Sequence, residues 1–306
     1  MKRDKKKSAS MSASMDRPAE KTSASSPKGA VGRGAGAFEE YYSNIFGQRW
    51  PSLKAALLKD SAPKAFQAQE SGAAYFLDSA SVLAAMTLPL SGAKNILDMC
   101  AAPGGKSLVI ASLMDDGASL KCNERSPDRY ARLRRVVAEH FPLAVQARVQ
   151  TTCGDGAVLC KKEKLLYDAI LLDAPCSSER HVLASPKYLD EWSPARVKSL
   201  SMQQWALLSS AYRLLSPGGF LLYSTCALNP TENAALSGRL LKKFPDARAL
   251  PEEEIRALQD SAKEKVSRFF DVSSLPQFEK EPLGFSILPD AQNGSGPIYF
   301  CLFAKV

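Results

Sequence analysis

The stretch "DMCAAPGGKSL" (98–108) closes the apolar run "NILDM" (95–99) and opens a segment with helical periodicity. Its end, Gly105-Lys106-Ser107, spells the tail of a phosphate-binding loop. That loop requires GxxxxGK[ST], whose first glycine makes the tight turn around the phosphates. Counting back from Gly105 puts Cys100 at the glycine position, and Pro103 stands inside the loop. The run "AILLD", ending in Asp173, imitates the metal-binding strand of nucleoside triphosphatases, yet the turn-forming glycine is missing. A triphosphatase is set aside. A strand, a Gly-Gly turn and a helix still suit the first turn of a fold that holds an adenosine-containing cofactor.

Strands and helices alternate outward from this loop. After "NILDM" come a helix over 104–113, strand "LKCNE" (120–124), helix "PDRYARLRRVVAEH" (127–140), strand "AVQARVQTTC" (144–153) and strand "YDAILLDA" (167–174). A long helix over 194–215, strand "GFLLYST" (219–225), helix "PTENAALSGRLLKKF" (230–244) and strand "IYFCLFAKV" (298–306) follow. Near-continuous apolar strands separated by helices predict an α/β fold with a doubly wound, mostly parallel sheet, covered on both faces. Ligands in that architecture sit beyond the carboxyl ends of the strands. Glu124 ends the second strand about 20 residues beyond Gly104, where such folds place an acid on the ribose hydroxyls. Asp155, in "CGDG", follows the third strand and suits the exocyclic amine of adenine.

Composition narrows the class. Lys and Arg number 40 against 32 acids, a net charge of +8. Residues 1–36 hold +6 of that excess, so the rest of the chain is nearly balanced. This basic segment, dense in Ser, Lys, Ala and Gly, reads as a disordered tail with a salt-sensitive attraction for nucleic acid. No run of about 18 apolar residues predicts a membrane span. A lysine-rich leader containing acids makes a poor mitochondrial presequence, so the cytoplasm is the expected compartment. In the lead-in over 37–92, Phe38, Tyr41, Tyr42, Ile45 and Phe46 recur at helical spacing, with Leu53, Ala56 and Leu57 after the Trp50-Pro51 break. An aromatic stripe of this kind reads first as core, and second as a stacking surface for bases.

Seven cysteines without a CxxC pair, and two histidines, argue against both a disulfide framework and a metal site. Two of the cysteines stand just past buried strands, Cys176 in "DAPCSSER" (173–180) and Cys226 in "STCALNPTEN" (224–233). Their strands are expected to be neighbours, so both thiols face one pocket. A thiolate is a strong nucleophile in a chain so poor in histidine, and His181 reads as structural. Thiolate chemistry beside a carboxylate suits methylation at cytosine C5. Sulfur added at C6 makes C5 enamine-like, and an acid on N3 offsets the charge that develops. Asp173 is the candidate acid, and S-adenosylmethionine the candidate methyl donor. The chemistry alone leaves open which cysteine attacks. Independently, Asn229, Pro230 and Glu232 in "NPTEN" fit a helix cap with a capping box.

"LDMCAAPGGKS", "DAPCSS" and "STCALNPTEN", in this order, resemble the Nop/Sun (Fmu-like) RNA cytosine-C5 methyltransferases. "FEEYYSNIFGQRW", "YFLDSASVLAA" and "GPIYFCLFAKV" extend the likeness to the compact branch that includes mitochondrial ribosomal-RNA enzymes, over about Phe38 to Val306. The resemblance implies a Rossmann-like class I methyltransferase domain over 93–306 with a seven-stranded sheet, and a lead-in over 37–92 that binds RNA or forms a lid. It implies that Cys226 is the nucleophile, that Cys176 helps to break the covalent adduct, and that Asp173 contacts both cofactor and base. The cofactor site would comprise Cys100, Ala101, Ala102, Pro103, Gly104, Gly105, Lys106, Glu124, Arg129, Asp155, Gly156 and Asp173. Ala227 and Ala234 depart from the serine and the acid usual in the family, and neither change removes a reacting group. Ribosomal RNA is the expected substrate, with transfer RNA or a noncatalytic assembly role as rivals. A monomer is expected, docked through the lead-in, the tail or a protein partner. The branch keeps the mitochondrial matrix as the alternative compartment.

Overall fold

The computed structural model describes residues 32–69, 72–292 and 294–306. The reading of residues 1–31 as a disordered tail lies outside them. Structure starts slightly before the expected boundary at 36, because α1 (Ala35–Phe46) begins directly after Gly34, whose N–H donates to Trp192 O at 2.9 Å. A short 3₁₀ turn leads into α2 (Trp50–Leu58), with Pro51 in its first turn, where a missing N–H costs nothing. The hairpin β1 (Lys64–Phe66) and β2 (Tyr75–Leu77) follows, then α3 (Ser79–Met86), capped by the Asp78 side chain on Ala80 N.

The alternating region contains β3 (Asn95–Asp98), α4 (Gly105–Leu113), β4 (Ser119–Glu124), α5 (Pro127–His140), α6 (Leu143–Gln146), β5 (Val149–Cys153), α7 (Leu159–Lys162) and β6 (Tyr167–Asp173). Helices α8 (Glu179–Leu183), α9 (Pro186–Asp190) and α10 (Pro194–Leu214) lead to β7 (Leu215–Thr225) and α11 (Ala234–Lys243). The chain finishes with β8 (Ala247–Ala249), α12 (Glu252–Val266), β9 (Glu279–Lys280), β10 (Phe285–Ile287) and β11 (Ile298–Lys305). Strands β5-β4-β3-β6-β7 run parallel, and β11 closes this run antiparallel to β7. Two apolar clusters cover the two faces: Leu108, Ile110, Ile255 and Val266 lie in one, and Leu208, Tyr212 and Leu240 in the other. The helices thus wrap both faces of the sheet, as the apolar strands required.

Four details depart from the sequence reading. The sheet has nine strands rather than seven: β3 to β7 and β11 make six, and β8, β9 and β10 add three short pieces around β11. The strand expected over 144–153 starts only at Val149, since Pro142 begins a helical turn and Gln146 Nε2 closes it on Phe141 O at 2.8 Å. Strand β7 starts at Leu215, upstream of the expected 219, with a bulge against β6. The helix expected from 230 begins at Ala234, and no capping box forms. Asn229 accepts from Thr231 N at 2.9 Å in a local turn, while Glu232 points inward, away from the helix end.

The aromatic stripe of the lead-in is core. Phe38, Tyr41, Tyr42 and Trp50 pack with Trp192, and Phe38 and Trp192 meet edge-on with centroids 5.2 Å apart. Arg49 then fixes the lead-in to the carboxyl-terminal region through a fork on Glu279 and Asp290, each at 2.7 Å. Trp192→Ala empties the centre of this cluster and should cost about 3–5 kcal/mol, read as a shift of the urea unfolding midpoint. A variant as stable as the parent would show that the cluster does not anchor the lead-in.

Candidate active site

Strands β3, β4, β6 and β7 all end at one edge of the sheet, and the expected residues gather there. The register pairs Asp173 with Ser224 on the adjacent strands β6 and β7. The following loops bring Cys176 and Cys226 together, with their sulfurs 2.9 Å apart. Asp173 is held at both oxygens: Ser224 Oγ donates to Oδ1 at 2.8 Å and Lys106 Nζ donates to Oδ2 at 2.8 Å. Burial pulls the Lys106 ammonium pKa down, but the Asp173 contact outweighs it and the net shift is upward. The lysine therefore stays charged. The GKS tail that imitated a phosphate loop thus makes an ion pair with the carboxylate expected to meet the base.

The two thiols are not equivalent. Cys176 is pushed well up, first by its hydrogen bond to Cys226, then by burial and by the neighbouring Glu232 and Glu179. Cys226 is moved down, because Cys176 and then Ser178 donate hydrogen bonds to its sulfur against the penalty of burial. A thiolate at Cys226 with Cys176 as its S–H donor is the arrangement this pair favours.

Two cavities open near this edge, one reached through Pro175, the neighbour of Cys176, and one walled by Cys226. The first, of about 240 Å³, is lined by Cys100, Glu124, Asp155, Gly156, Pro175 and Leu207 among others. Gly156 is required here: a Cβ would sit 2.8 Å from Met99 Cγ. Glu124 Oε1 accepts from Ser126 N at 2.8 Å, while its buried Oε2 has no hydrogen-bond donor and only the Arg129 guanidinium 3.4 Å away. Asp98, at the end of β3, is also buried, accepts from Ser107 Oγ at 2.6 Å and leaves Oδ1 unpaired. Burial, with Asp173 nearby, pushes the Asp98 carboxyl up to about 7. Buried unpaired acceptors are costly unless a ligand donor meets them. Such acceptors fit the hydroxyls and the ammonium of an adenosyl amino acid. The second cavity, of about 170 Å³, is lined by Ser61, Asp78, Ser178, Arg180, Cys226 and Pro297 among others.

Of the expected cofactor residues, Cys100, Glu124, Asp155 and Gly156 reach the first cavity directly. The turn from Ala101 to Gly105 shapes its approach: Ala101 N donates to Asn123 O at 2.8 Å, and Gly104, at φ +122°, lies where a Cβ would strike Val136 at 2.9 Å. Arg129 does not line the cavity; its guanidinium donates to Ala102 O and braces Glu124. Its place is set by α5, which turns it toward the loop. Asp155 caps the next turn through Ala157 N at 3.0 Å while lining the cavity. His181 packs against Tyr188, with ring centroids 4.9 Å apart, and stays out of the site. Asp98, Ser224, Asp78 and Arg180 escaped the sequence reading; Asp98 and Ser224 had a signal, since both stand at predicted strand ends.

A five-strand parallel run closed by an antiparallel last strand, with a cavity at its carboxyl edge, defines a Rossmann-like class of fold. A family model described as 16S rRNA methyltransferase RsmB/F matches residues 85–296, and the chain belongs to that family. The mitochondrial tRNA (cytosine(34)-C(5))-methyltransferase of Danio rerio is 30% identical over 234 residues, 76% of this chain and 60% of that protein. Ribosomal RNA small subunit methyltransferase F of Escherichia coli O139:H28 is 36% identical over 179 residues, 58% of this chain and 36% of its own length. The match thus spans less than two thirds of either relative. The crystal structure of NSun6 from Pyrococcus horikoshii with SFG superposes with a TM-score of 0.59 at 22% identity, over 78% of this chain and 54% of that one. At that identity the likeness shows the fold.

The unequal thiols give a direct test. Iodoacetamide at pH 7.5 should label Cys226 ahead of Cys176, and Cys176→Ala should move the Cys226 labelling profile to higher pH by removing its S–H donor. Peptide mass spectrometry resolves the two sites. Faster labelling of Cys176 would reverse the assignment.

Proposed function

We propose that the chain is an S-adenosylmethionine-dependent RNA (cytosine-5-)-methyltransferase that acts on ribosomal RNA. The observation that carries this reading is the pair of touching thiols on the loops that follow Asp173, itself ion-paired with Lys106, and Ser224, with Pro175 on the wall of one cavity and Cys226 on the wall of the other. S-adenosylmethionine supplies an activated methyl group. Glu124 would hold its ribose, Asp155 its adenine amine, and Asp98 with the 100–106 turn its methionine end, which matches the unpaired buried oxygens of Glu124 and Asp98.

The second cavity, with Cys226 on its wall, would take the cytosine extruded from RNA. The Cys226 thiolate would add through sulfur to C6, and a proton passed to N3 by Asp173, drawn from the Lys106 ammonium paired with it, would neutralise the charge that builds on the ring. C5 then takes the methyl group. The C5 proton would then pass to solvent, its electron pair would re-form the C5–C6 double bond as the C6–S bond breaks to free the Cys226 thiolate, and the N3 proton would return through Asp173 to Lys106; Cys176, in contact with the leaving sulfur, would assist its departure. The lead-in over 37–92 contributes Ser61 and Asp78 to the base cavity, which supports a role for that segment in holding RNA.

The family description favours ribosomal RNA. The zebrafish relative, aligned over more of the chain, supports transfer RNA as the second reading. Bisulfite sequencing of RNA from cells lacking the gene separates them: loss of a methylated cytosine in transfer RNA alone would overturn the ribosomal choice.

Cys226→Ala should abolish methyl transfer, whereas Cys176→Ala should accumulate a covalent RNA adduct that survives denaturation and is seen as a retarded gel band. Full activity of Cys226→Ala would sink the assignment. For the cofactor, Glu124→Ala removes the acceptor at the ribose and should raise the dissociation constant by roughly 10- to 100-fold, given ~1.5–3 kcal/mol for a hydrogen bond to a charged group. Unchanged affinity in calorimetry would remove Glu124 from the site.

A further inference from the structure

Beneath the two thiols lies a second cluster of acids. Glu179, Glu232 and Ser177 are buried, and the Ser177 hydroxyl touches Glu179 Oε1 and Glu232 Oε2 together. Tyr42 OH also donates to Glu179 Oε1, and Leu228 N donates to Oε2 at 2.9 Å. On the other acid, Ser177 N and Gln204 Nε2 donate to Glu232 Oε1 at 3.0 and 2.8 Å. Among the described residues, no Lys, Arg or His forms a salt bridge with either carboxylate.

A count of protons decides what the cluster is. A serine hydroxyl has one hydrogen, so it can donate to only one of two carboxylates. If both acids were ionised, one of the two short oxygen–oxygen contacts would face bare lone pairs of like charge, buried and without a cation. The second contact needs a proton from an acid. Each acid has two further donors, but of the oxygens that face the hydroxyl, Glu179 Oε1 also receives Tyr42 OH, which favours the ionised form there. Glu232 receives nothing else at Oε2. We propose that in the folded protein, up to neutral pH, Glu232 is a carboxylic acid, donating to Ser177 Oγ, which donates to ionised Glu179, and that this single proton ties the Cys176 loop to the Cys226 loop.

The titratable groups around the pair are consistent with one retained proton. Tyr41 and Tyr42 approach from α1, Cys176 from its loop, Tyr223 from β7 and Cys226 from the loop after it; each is neutral or anionic, and Tyr223 OH donates to Glu232 O at 2.6 Å. Arg180, adjacent to Glu179, spends its guanidinium on the carbonyls of Leu57, Lys59, Gly294 and Gly296. Lys106 is taken by Asp173. Burial and then the Glu179 charge raise Glu232 to about 7, and burial raises Glu179 as well. A neutral Glu232 also withholds one negative charge from the thiols. Glu232 is thus a positioning residue for the reaction proposed above, and only its bearing on the thiolate rests on that reading.

The two acids should respond oppositely to amidation, in the full chain and without RNA or cofactor. In Glu232→Gln the amide N–H replaces the acid O–H toward Ser177. In Glu179→Gln an oxygen is lost to an –NH₂ group where donors already converge. The pH dependence has a definite sign: Glu232, raised in the fold from 4.5 to about 7, makes the folded state bind more protons than the unfolded state across that window. Its contribution to stability therefore falls as pH rises from 4.5 to 7, and the amide lacks that fall. Glu232→Gln should melt level with the parent at pH 5 and above it at pH 8, while Glu179→Gln melts below the parent at both. Infrared difference spectra at pH 6 should lose a protonated-carboxyl band in Glu232→Gln. Equal destabilisation by both amides, an offset from the parent that does not change with pH, or a parent without that band would each overturn the proposal. Failure of methyl transfer with these three results intact would count against the enzymatic reading instead.

Discussion

The parallel pairing of β6 with β7 is the constraint on which the site depends. It sets Asp173 opposite Ser224, and the chain then needs only three residues to reach Cys176 on one strand and two to reach Cys226 on the other. Side chains alternate along a strand, so a slip of one residue would turn Asp173 to the other face and separate the pair. The slip is opposed by burial on both faces: Ile170, Leu171 and Leu172 face Leu221, Leu222 and Tyr223, and none of the six is exposed to solvent. The chemistry is therefore held in register by residues that take no part in it.

Much of this was legible because buried parallel strands read as unbroken apolar runs and their ends as the places where polar residues appear. Asp98, Glu124, Asp173 and Ser224 all stand at such ends. Less legible was the carboxyl-terminal third. Helix α12 carries Ile255, Leu258, Ala262 and Val266 at helical spacing, yet its mean character is charged, and only packing against α3 and α4 makes that narrow stripe core. The pieces β8, β9 and β10 are two or three residues long; β9 pairs only with β10, and β8 finds its partner β11 about fifty residues on in sequence. Local pattern holds no record of such pairings. The cap at "NPTEN" misled for a different reason: a glutamate in the third helical position satisfies a local rule, but buried donors on Ser177 and Gln204 offered it a stronger site.

The same edge of the sheet concentrates groups that a folded chain otherwise avoids. Asp98 is buried with an oxygen unpaired, Glu124 is buried with one oxygen that receives no hydrogen bond and only the Arg129 guanidinium 3.4 Å away, and Glu179 and Glu232 share a hydroxyl without a cation between them. Elsewhere the acids follow ordinary rules, as in the exposed pairs Arg256–Glu252 and Lys263–Asp260. Violations gathered at one place, and tolerated by a well-packed sheet around it, are what a site held ready for a polar ligand requires.

The lead-in helices belong to this arrangement in a way that neither of their first readings captured. As core, the aromatic stripe needs only its rings, and as a base-stacking surface it would need them exposed. The rings are buried, but two of the hydroxyls are spent on the edge that carries the two cysteines. Tyr42 donates to Glu179, and Tyr41 accepts from Asn229 Nδ2 at 2.8 Å, in the loop that follows Cys226. A phenylalanine at either position would fill the same space and leave a buried carboxylate oxygen or amide short of a partner. The choice of tyrosine over phenylalanine at 41 and 42, beside Phe38 and Phe46, therefore reports a second demand on the stripe. It binds α1 to the two cysteine loops, so that the lead-in and the site are one packed unit.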